Sequence, residues 1–213
     1  MILTNPLPAG LRLSCAAAVS YAAVMDHRVD DSALMLRYRD GDVEAFEALY
    51  RRHNDSLYRY LLRLCRHRDT AEDIFQDVWG KIIKSRERYR PTAKFTTFLY
   101  RVARNCFIDH LRRNRRHEGS VDIDVDTQMH DGVDAAAETE RSLARRRLES
   151  ALAGLPEEQR DVFLLHEEAH LSLDDIAHVT GVNRETAKSR LRYAVNKLKA
   201  AIAAEIADSL EAS

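Results

Sequence analysis

Between residues 31 and 117 apolar side chains recur at helical intervals almost without a break. Leu34 and Leu36, Phe46, Leu49 and Tyr50, Leu57, Tyr60, Leu61 and Leu64, then Ile74, Phe75, Val78, Ile82 and Ile83 follow the i, i+3, i+4, i+7 spacing of helices that bury one stripe. Asp40-Gly41-Asp42 and His67-Arg68-Asp69 mark turns, the second placing Asp69 as the cap of a helix through Glu72 to Lys84. Arg86 to Lys94 breaks the pattern, because Pro91 lacks an amide donor and pushes Arg90 away from helical geometry. A basic loop containing Tyr89 results. In the helix that follows, Phe95, Phe98, Leu99, Val102, Ala103, Cys106 and Leu111 form the apolar side, and Arg101, Arg104, Asn105, Asp109, Arg112 and Arg113 the polar one.

Residues 118–140 have no such period. They carry eight Asp or Glu and no Lys or Arg, and they include Gly119 and Gly132, so they read as a flexible, self-repelling linker. Periodicity resumes near Arg141. Leu143, Leu148 and Leu152 lie on a helix that stops at Gly154. Pro156 starts another, with Glu157 and Glu158 in the first turn, where the helix dipole favours anions, and Val162, Phe163 and Leu165 inward. Ser172 and Asp175 resemble a capping box at the head of Leu173 to Val179; Thr180-Gly181-Val182 makes a tight turn, and Asn183 caps a last helix through Lys199. Two short helices joined in this way form a helix-turn-helix. There Ala177 and Ala187 pack inward, Gly181 takes the left-handed turn, and Arg184, Glu185, Thr186, Lys188, Ser189, Arg190 and Arg192 are left for solvent or DNA.

Composition agrees with an all-α chain. Seven Gly and four Pro among 213 residues are too few for a turn-rich sandwich or barrel, and 45% hydrophobic residues is too apolar for wholesale disorder. Cys15, Cys65 and Cys106 are odd in number and unpaired in spacing, which fits a reducing cytosol. Leu11 to Met25 is Ala-rich, but it is too short to span a bilayer and lacks a basic leader. Translation is expected to begin at Met25, with residues 1–28 a disordered extension. The net charge of −1 conceals opposed segments. Lys81 to His117 has twelve Lys or Arg against Glu87 and Asp109, and Asn183 to Lys199 has six against Glu185. Two basic stretches around an acidic one point to a polyanion partner.

The bland alternatives are ordinary solvated helix faces, a helical hairpin with a basic surface, and an Asp109–Arg113 ion pair one turn apart. His166-Glu167-Glu168-Ala169-His170 matches the H-E-x-x-H zinc pattern, the basis of a hydrolase reading. A third ligand and an open cleft are not evident, however, and Leu171-Ser172 starts the next helix, which puts His170 at a helix end or in the turn. His53, His67 and His110 have no ligand spacing, and there is neither a Gly-rich phosphate loop nor a nucleophile elbow. Work on DNA would then be driven by binding, with no catalytic residue, metal or cofactor.

Three motifs resemble a known family: Thr70-Ala-Glu-Asp-Ile-Phe-Gln-Asp-Val-Trp79, Phe95-Thr-Thr-Phe-Leu-Tyr-Arg-Val-Ala-Arg-Asn105 with Asp109, and Leu155-Pro-Glu-Glu-Gln-Arg-Asp-Val-Phe163 leading into the helix-turn-helix. They are similar to the extracytoplasmic-function (group IV) sigma factors of bacterial RNA polymerase, over residues 31 to about 203. Phe98 stands where that family usually has Trp, and Ala187 where it often has Val. The resemblance implies a non-enzymatic, cytoplasmic transcription initiation factor with two helical domains: sigma domain 2 at 29–117 and sigma domain 4 at 141–205, the acidic 118–140 linker between them and a tail at 206–213. It implies that Asp73, Gln76 and Asp77 meet the clamp helices of the polymerase largest subunit. Arg88, Tyr89, Lys94, Arg101, Arg104, Asn105 and Arg112 would hold the −10 element, and Arg184, Glu185, Thr186, Lys188, Ser189, Arg190 and Arg192 would read the −35 duplex. Core polymerase, including the subunit that holds domain 4, promoter DNA and an anti-sigma factor are the implied partners, without stable membrane insertion. A promoter-binding regulator with an unrelated helical domain is the alternative of the same broad class.

Overall fold

The computed structural model describes residues 29–117 and 140–211. The expected extension at 1–28, with its Met25 start, and the linker up to residue 139 lie outside the described residues. Within them every regular element is helical: α1 (Asp31–Arg39), α2 (Val43–Cys65), α3 (Arg68–Ser85), a 3-10 turn at Arg86–Arg88, α4 (Phe95–His117), α5 (Glu140–Ala153), α6 (Glu157–Glu167), α7 (Leu173–Thr180) and α8 (Arg184–Glu211). α8 thus continues beyond Lys199 into the segment expected as a tail. None of these helices is long and apolar enough to cross a membrane.

Side-chain caps set several of the boundaries. Asp30 accepts from the Ser32 and Ala33 amides to start α1. Asp42, held by Arg37, accepts from Ala45 N to start α2, with Gly41 at φ 106° between the two helices. The cap expected of Asp69 is not formed: His67 is the cap residue of α3 and makes no side-chain cap bond, while Asp69 sits inside the first turn. It can act there only through the dipole.

α1 packs on α2, α2 on α3 and α3 on α4. Leu49, Leu57, Leu61, Ile74, Val78, Ile82, Leu99 and Ala103 are fully or almost fully buried between them. Phe46 meets Trp79 edge-on at 5.7 Å, and Tyr50 and Phe75 flank the same indole. In the second half α5, α6 and α7 pack on α8, burying Leu152, Val162, Leu164, Leu165, Ile176, Ala187, Ala194 and Leu198. Three residues expected on buried stripes are open to solvent, Tyr50 at 37%, Ile83 at 42% and Leu143 at 38%, because no described element covers their side of the stripe. The two halves touch where α2 meets α6 and α4 meets α7.

Asp31 ties α1 to α2. Arg52 Nη1 donates to its Oδ1 at 2.6 Å, and His53 Nε2 lies 2.8 Å from Oδ2. Burial alone would raise the Asp31 carboxyl, but the bonds from His53 and Arg52 outweigh it and hold the group below the usual carboxylate range. A depressed native pKa contributes stability above the unfolded value of about 3.9, and that contribution is lost as pH falls through the native value. Asp31→Asn is therefore expected to lower stability near neutral pH by about 1.5–3 kcal/mol, the worth of hydrogen bonds to a charged group. In denaturant titrations the gap between the two proteins should close in acid; a gap independent of pH would refute the role given to Asp31.

Candidate nucleic-acid and polymerase interfaces

The turn between α7 and α8 is fixed by three residues. Ser172 Oγ accepts from Asp175 N at 3.2 Å and donates to its carboxylate at 2.6 Å, which starts α7. Gly181, at φ 72°, donates to Ala177 O at 2.9 Å and ends it. Asn183 Oδ1 accepts from Thr186 N at 2.7 Å and starts α8. Ala187, Ala194 and Leu198 form the inward stripe of α8. Both expected caps and the left-handed glycine are thus in place.

The seven α8 residues expected at DNA divide into two groups. Arg184, Glu185, Lys188 and Arg192 face outward. Arg184 is drawn to Asp174 at 3.2 Å, and Arg192 stacks over Tyr193 at 5.2 Å. Thr186 and Ser189 are half-buried, and the Ser189 hydroxyl donates back to Thr186 O. Arg190 is turned to Glu158 of α6 and ties the two helices together. Tyr193, 52% exposed beside Arg192, has no counterpart in the sequence reading. It lies off the charged positions that drew attention there.

Asp73, Gln76 and Asp77 share an exposed face of α3, as their spacing requires. Gln76 borders a shallow, open depression with Tyr50, Asn54, Tyr58 and Phe75, an aromatic floor beside the acidic row. The Asp109–Arg113 pair is not formed. Each residue reaches α3 instead, Asp109 to Lys81 at 3.5 Å and Arg113 to Asp77 at 3.7 Å.

Of the strand-holding candidates, Arg88, Lys94, Arg101, Asn105 and Arg112 are exposed. Tyr89 is not, although it stands in the basic loop expected to hold the −10 element. It is 4% exposed and packs at 5.3 Å from Phe98 and 6.5 Å from Phe95, because the 3-10 turn folds its ring over the start of α4. Arg104 Nε donates to Asp161 of α6 at 2.7 Å, and Lys94 and Arg101 lie at 3.4 and 3.3 Å from Asp175 and His178 of α7. The basic face of α4 is therefore partly covered by the second half, which sequence periodicity gave no reason to expect.

His170 lies outside α6, which ends at Glu167, and takes φ 51°, while His166 Nδ1 is 2.8 Å from Glu167. The two imidazoles do not share a helix face. Among the described residues no group of His, Cys, Asp and Glu is arranged to hold a metal ion.

A family model for sigma-70 region 2 matches residues 49–117, and one for sigma-70 region 4 matches 145–198. The RNA polymerase sigma factor CarQ of Myxococcus xanthus is 32% identical over 165 residues, which cover 78% of this chain and 93% of that protein. The chain belongs to the sigma-70 family. Within it the chain is a sigma factor of the extracytoplasmic-function group, such as SigM of Mycobacterium tuberculosis, 31% identical over 81% of this chain and 84% of that one. Two solved structures share the fold at 22% identity. The sigma factor RpoE in complex with the anti-sigma factor NepR from Bartonella quintana has a TM-score of 0.62 over 74% of this chain and 96% of its own. CnrH in complex with the cytosolic domain of CnrY has 0.61 over 82% and 97%. As a sigma factor the protein binds core RNA polymerase and recognises promoter DNA; sigma factors initiate transcription and are not catalysts of a reaction of their own.

An exposed ion pair is worth about 1 kcal/mol or less. Arg190→Ala and Glu158→Ala should each lower stability by no more than that, and the double variant by no more than the larger of the two. A double-mutant cycle from denaturant titrations checks this; additive losses would show that the two side chains do not act as a pair.

Proposed function

We propose that the sigma factor divides its work among three surfaces, in a domain 2 at 29–117 and a domain 4 at 141–205. The outward face of α8 reads the −35 duplex, and the observation that carries this is the row of Arg184, Glu185, Lys188 and Arg192 on the exposed side of a capped helix-turn-helix. In a major groove Arg and Lys donate to guanine edges or to phosphate, and Glu accepts from cytosine. Arg190, Thr186 and Ser189 serve this face by holding it, Arg190 through Glu158.

The second surface is α4 with its preceding loop, where Arg88, Lys94, Arg101, Arg104, Asn105 and Arg112 hold the separating −10 strand through its phosphates. Tyr89, packed on Phe98 and Phe95, holds the loop against the start of α4. The third is the α3 face of Asp73, Gln76 and Asp77, which meets the clamp helices of the polymerase largest subunit, with domain 4 seated on another polymerase subunit. An anti-sigma factor is a further partner of this chain. The two solved relatives of the same fold, each in complex with such a protein or with the cytosolic domain of one named protein, support that reading. The place of action is the cytoplasm, where polymerase works.

Run-off transcription with core polymerase over a promoter library is the primary test: RNA should start at promoters that core enzyme alone ignores, and no choice of start site would overturn the assignment. Lys188→Ala should weaken duplex binding for all sequences alike and reduce the salt slope by about one, as for a lost phosphate contact, whereas Arg184→Ala should cost about 1–3 kcal/mol and relax sequence preference. Asp77→Arg should impair assembly on core polymerase while circular dichroism stays unchanged, since the residue is exposed. Loss of the helical spectrum would contradict the surface placement.

A further inference from the structure

Along α8 the outward side chains fall into two adjacent rows with a spacing of one helical turn. Arg184, Lys188 and Arg192 make one row, and Glu185, Ser189 and Tyr193 the other. From Arg184 to Tyr193 the helix rises by roughly 14 Å, at about 1.5 Å per residue, close to the width of about 12 Å of a major groove. Tyr193 therefore stands within the reach of the reading face and not beyond it.

Tyr193 is 52% exposed, and among the described residues it is the only large apolar side chain of this helix so open to solvent. A single exposed tyrosine needs no explanation by itself. What distinguishes this one is its neighbour. Arg184 is drawn to Asp174 at 3.2 Å and to Glu185 at 3.6 Å, Lys188 to Glu185 at 4.0 Å, and Arg190 to Glu158. Arg192 has no carboxylate partner among the described residues, and its guanidinium lies over the Tyr193 ring, 5.2 Å from the centroid. A carboxylate holds a cation by neutralising it, and has to be displaced before a base can be read. A ring orients the guanidinium plane and leaves its charge and its donor fork available.

We infer that Arg192 and Tyr193 act as one stacked reader of two adjacent base pairs, Arg192 donating its fork to O6 and N7 of a guanine and the Tyr193 ring edge packing on the 5-methyl of a neighbouring thymine. The major-groove pattern carries this chemistry: a guanidinium fork matches the two acceptors of guanine, and the thymine methyl is the apolar group that an aromatic edge covers. Tyr193 is then a specificity-determining residue in its own right and a positioning residue for Arg192. The inference rests on the reading of α8 as the −35 surface, and it adds an aromatic side chain to a face otherwise made of charged and hydroxyl groups.

Holoenzyme reconstituted from core polymerase and the full-length chain, assayed by run-off transcription over a library randomised in the −35 element, measures the base preference at each position. Wild type should prefer thymine beside guanine at one step. Tyr193→Ala should abolish the thymine preference, about fourfold for one buried methyl group, and relax the guanine preference, about fivefold or more for a bidentate contact. Tyr193→Phe retains the ring and should keep most of both. Arg192→Lys keeps the charge without the fork and should lose guanine while keeping thymine. On the selected promoter, deoxyuridine in place of that thymine removes only the methyl; it should lower output about fourfold with wild type and leave Tyr193→Ala unmoved. Because Tyr193 is exposed, Tyr193→Ala should assemble on core polymerase as wild type does in a native gel. A uniform loss across the library, equal sensitivity of both proteins to deoxyuridine, or unchanged preference at every position with Tyr193→Ala would overturn the inference. Arg184→Ala separates the two ideas. If it relaxes sequence preference while Tyr193→Ala does not, only the stacked reader fails; if neither does, the reading of α8 fails with it.

Discussion

The arrangement of the whole molecule depends on a carboxylate that has almost no water. Asp161 is 5% exposed, and burial pushes its carboxyl above the ordinary range while the bonds from Arg104 and Tyr60 pull the other way. Tyr60, wholly enclosed beside that carboxylate, is pushed well above the usual phenol value by burial first and by the neighbouring charge second, so it remains a donor. Such a site fixes geometry more than it adds stability, since the desolvation of two ions offsets much of their attraction. Removing one partner would leave the other charged and enclosed. The two halves are therefore held in one register by enclosed polar bonds set within one apolar cluster that takes in residues of both.

The polar partners enclosed at the joint make it specific. Leu49, Leu57, Ile74, Val78 and Leu99 belong to the first half, and Val162, Leu165, Ile176 and Ala187 to the second. Burying an apolar side chain of this size contributes roughly 1.5–3 kcal/mol, so each set is strongly bound within its own half. Across the joint the contacts are instead Arg59, Arg63 and Arg104 against Glu168 and Asp161, with Tyr60 and Thr97 supplying neutral donors. Tyr60, Thr97 and Asp161 make these bonds almost wholly shielded from water, and Glu168 nearly so.

The sequence made the helices legible because helix burial is a local, periodic property. It made the turn of the DNA-reading unit legible because Ser172, Gly181 and Asn183 act on amides and carbonyls within a few residues of themselves. Periodicity identifies a stripe and not the element that covers it, which is why Ile83 and Leu143 are open. It placed a cap at Asp69 by residue type, where the chain entered the helix two residues earlier. The polar residues were harder still. Arg104 and Arg190 read as free cations because their partners, Asp161 and Glu158, lie 57 and 32 positions away, and Tyr89 read as a surface ring because the fold of its own loop decides its burial. Asp161, flanked by Val162, Phe163, Leu164 and Leu165, was the one visible hint: an acid at the edge of an apolar run needs a partner, but spacing does not name it.

The joint also lies between the exposed face of α8 and the basic face of α4. α7 contributes Asp175 to Thr97 and Lys94 on one side and supports α8 on the other, so closure restrains the helix-turn-helix relative to α4. Yet Lys188 and Arg192 are exposed, while Arg104 is only 21% exposed and bonded. The two basic surfaces are thus unequally engaged by one contact set. The same acidic side chains engage Arg59, Arg63, Lys94 and Arg104 of the basic face, whereas Lys188 and Arg192 of α8 lie outside that contact set.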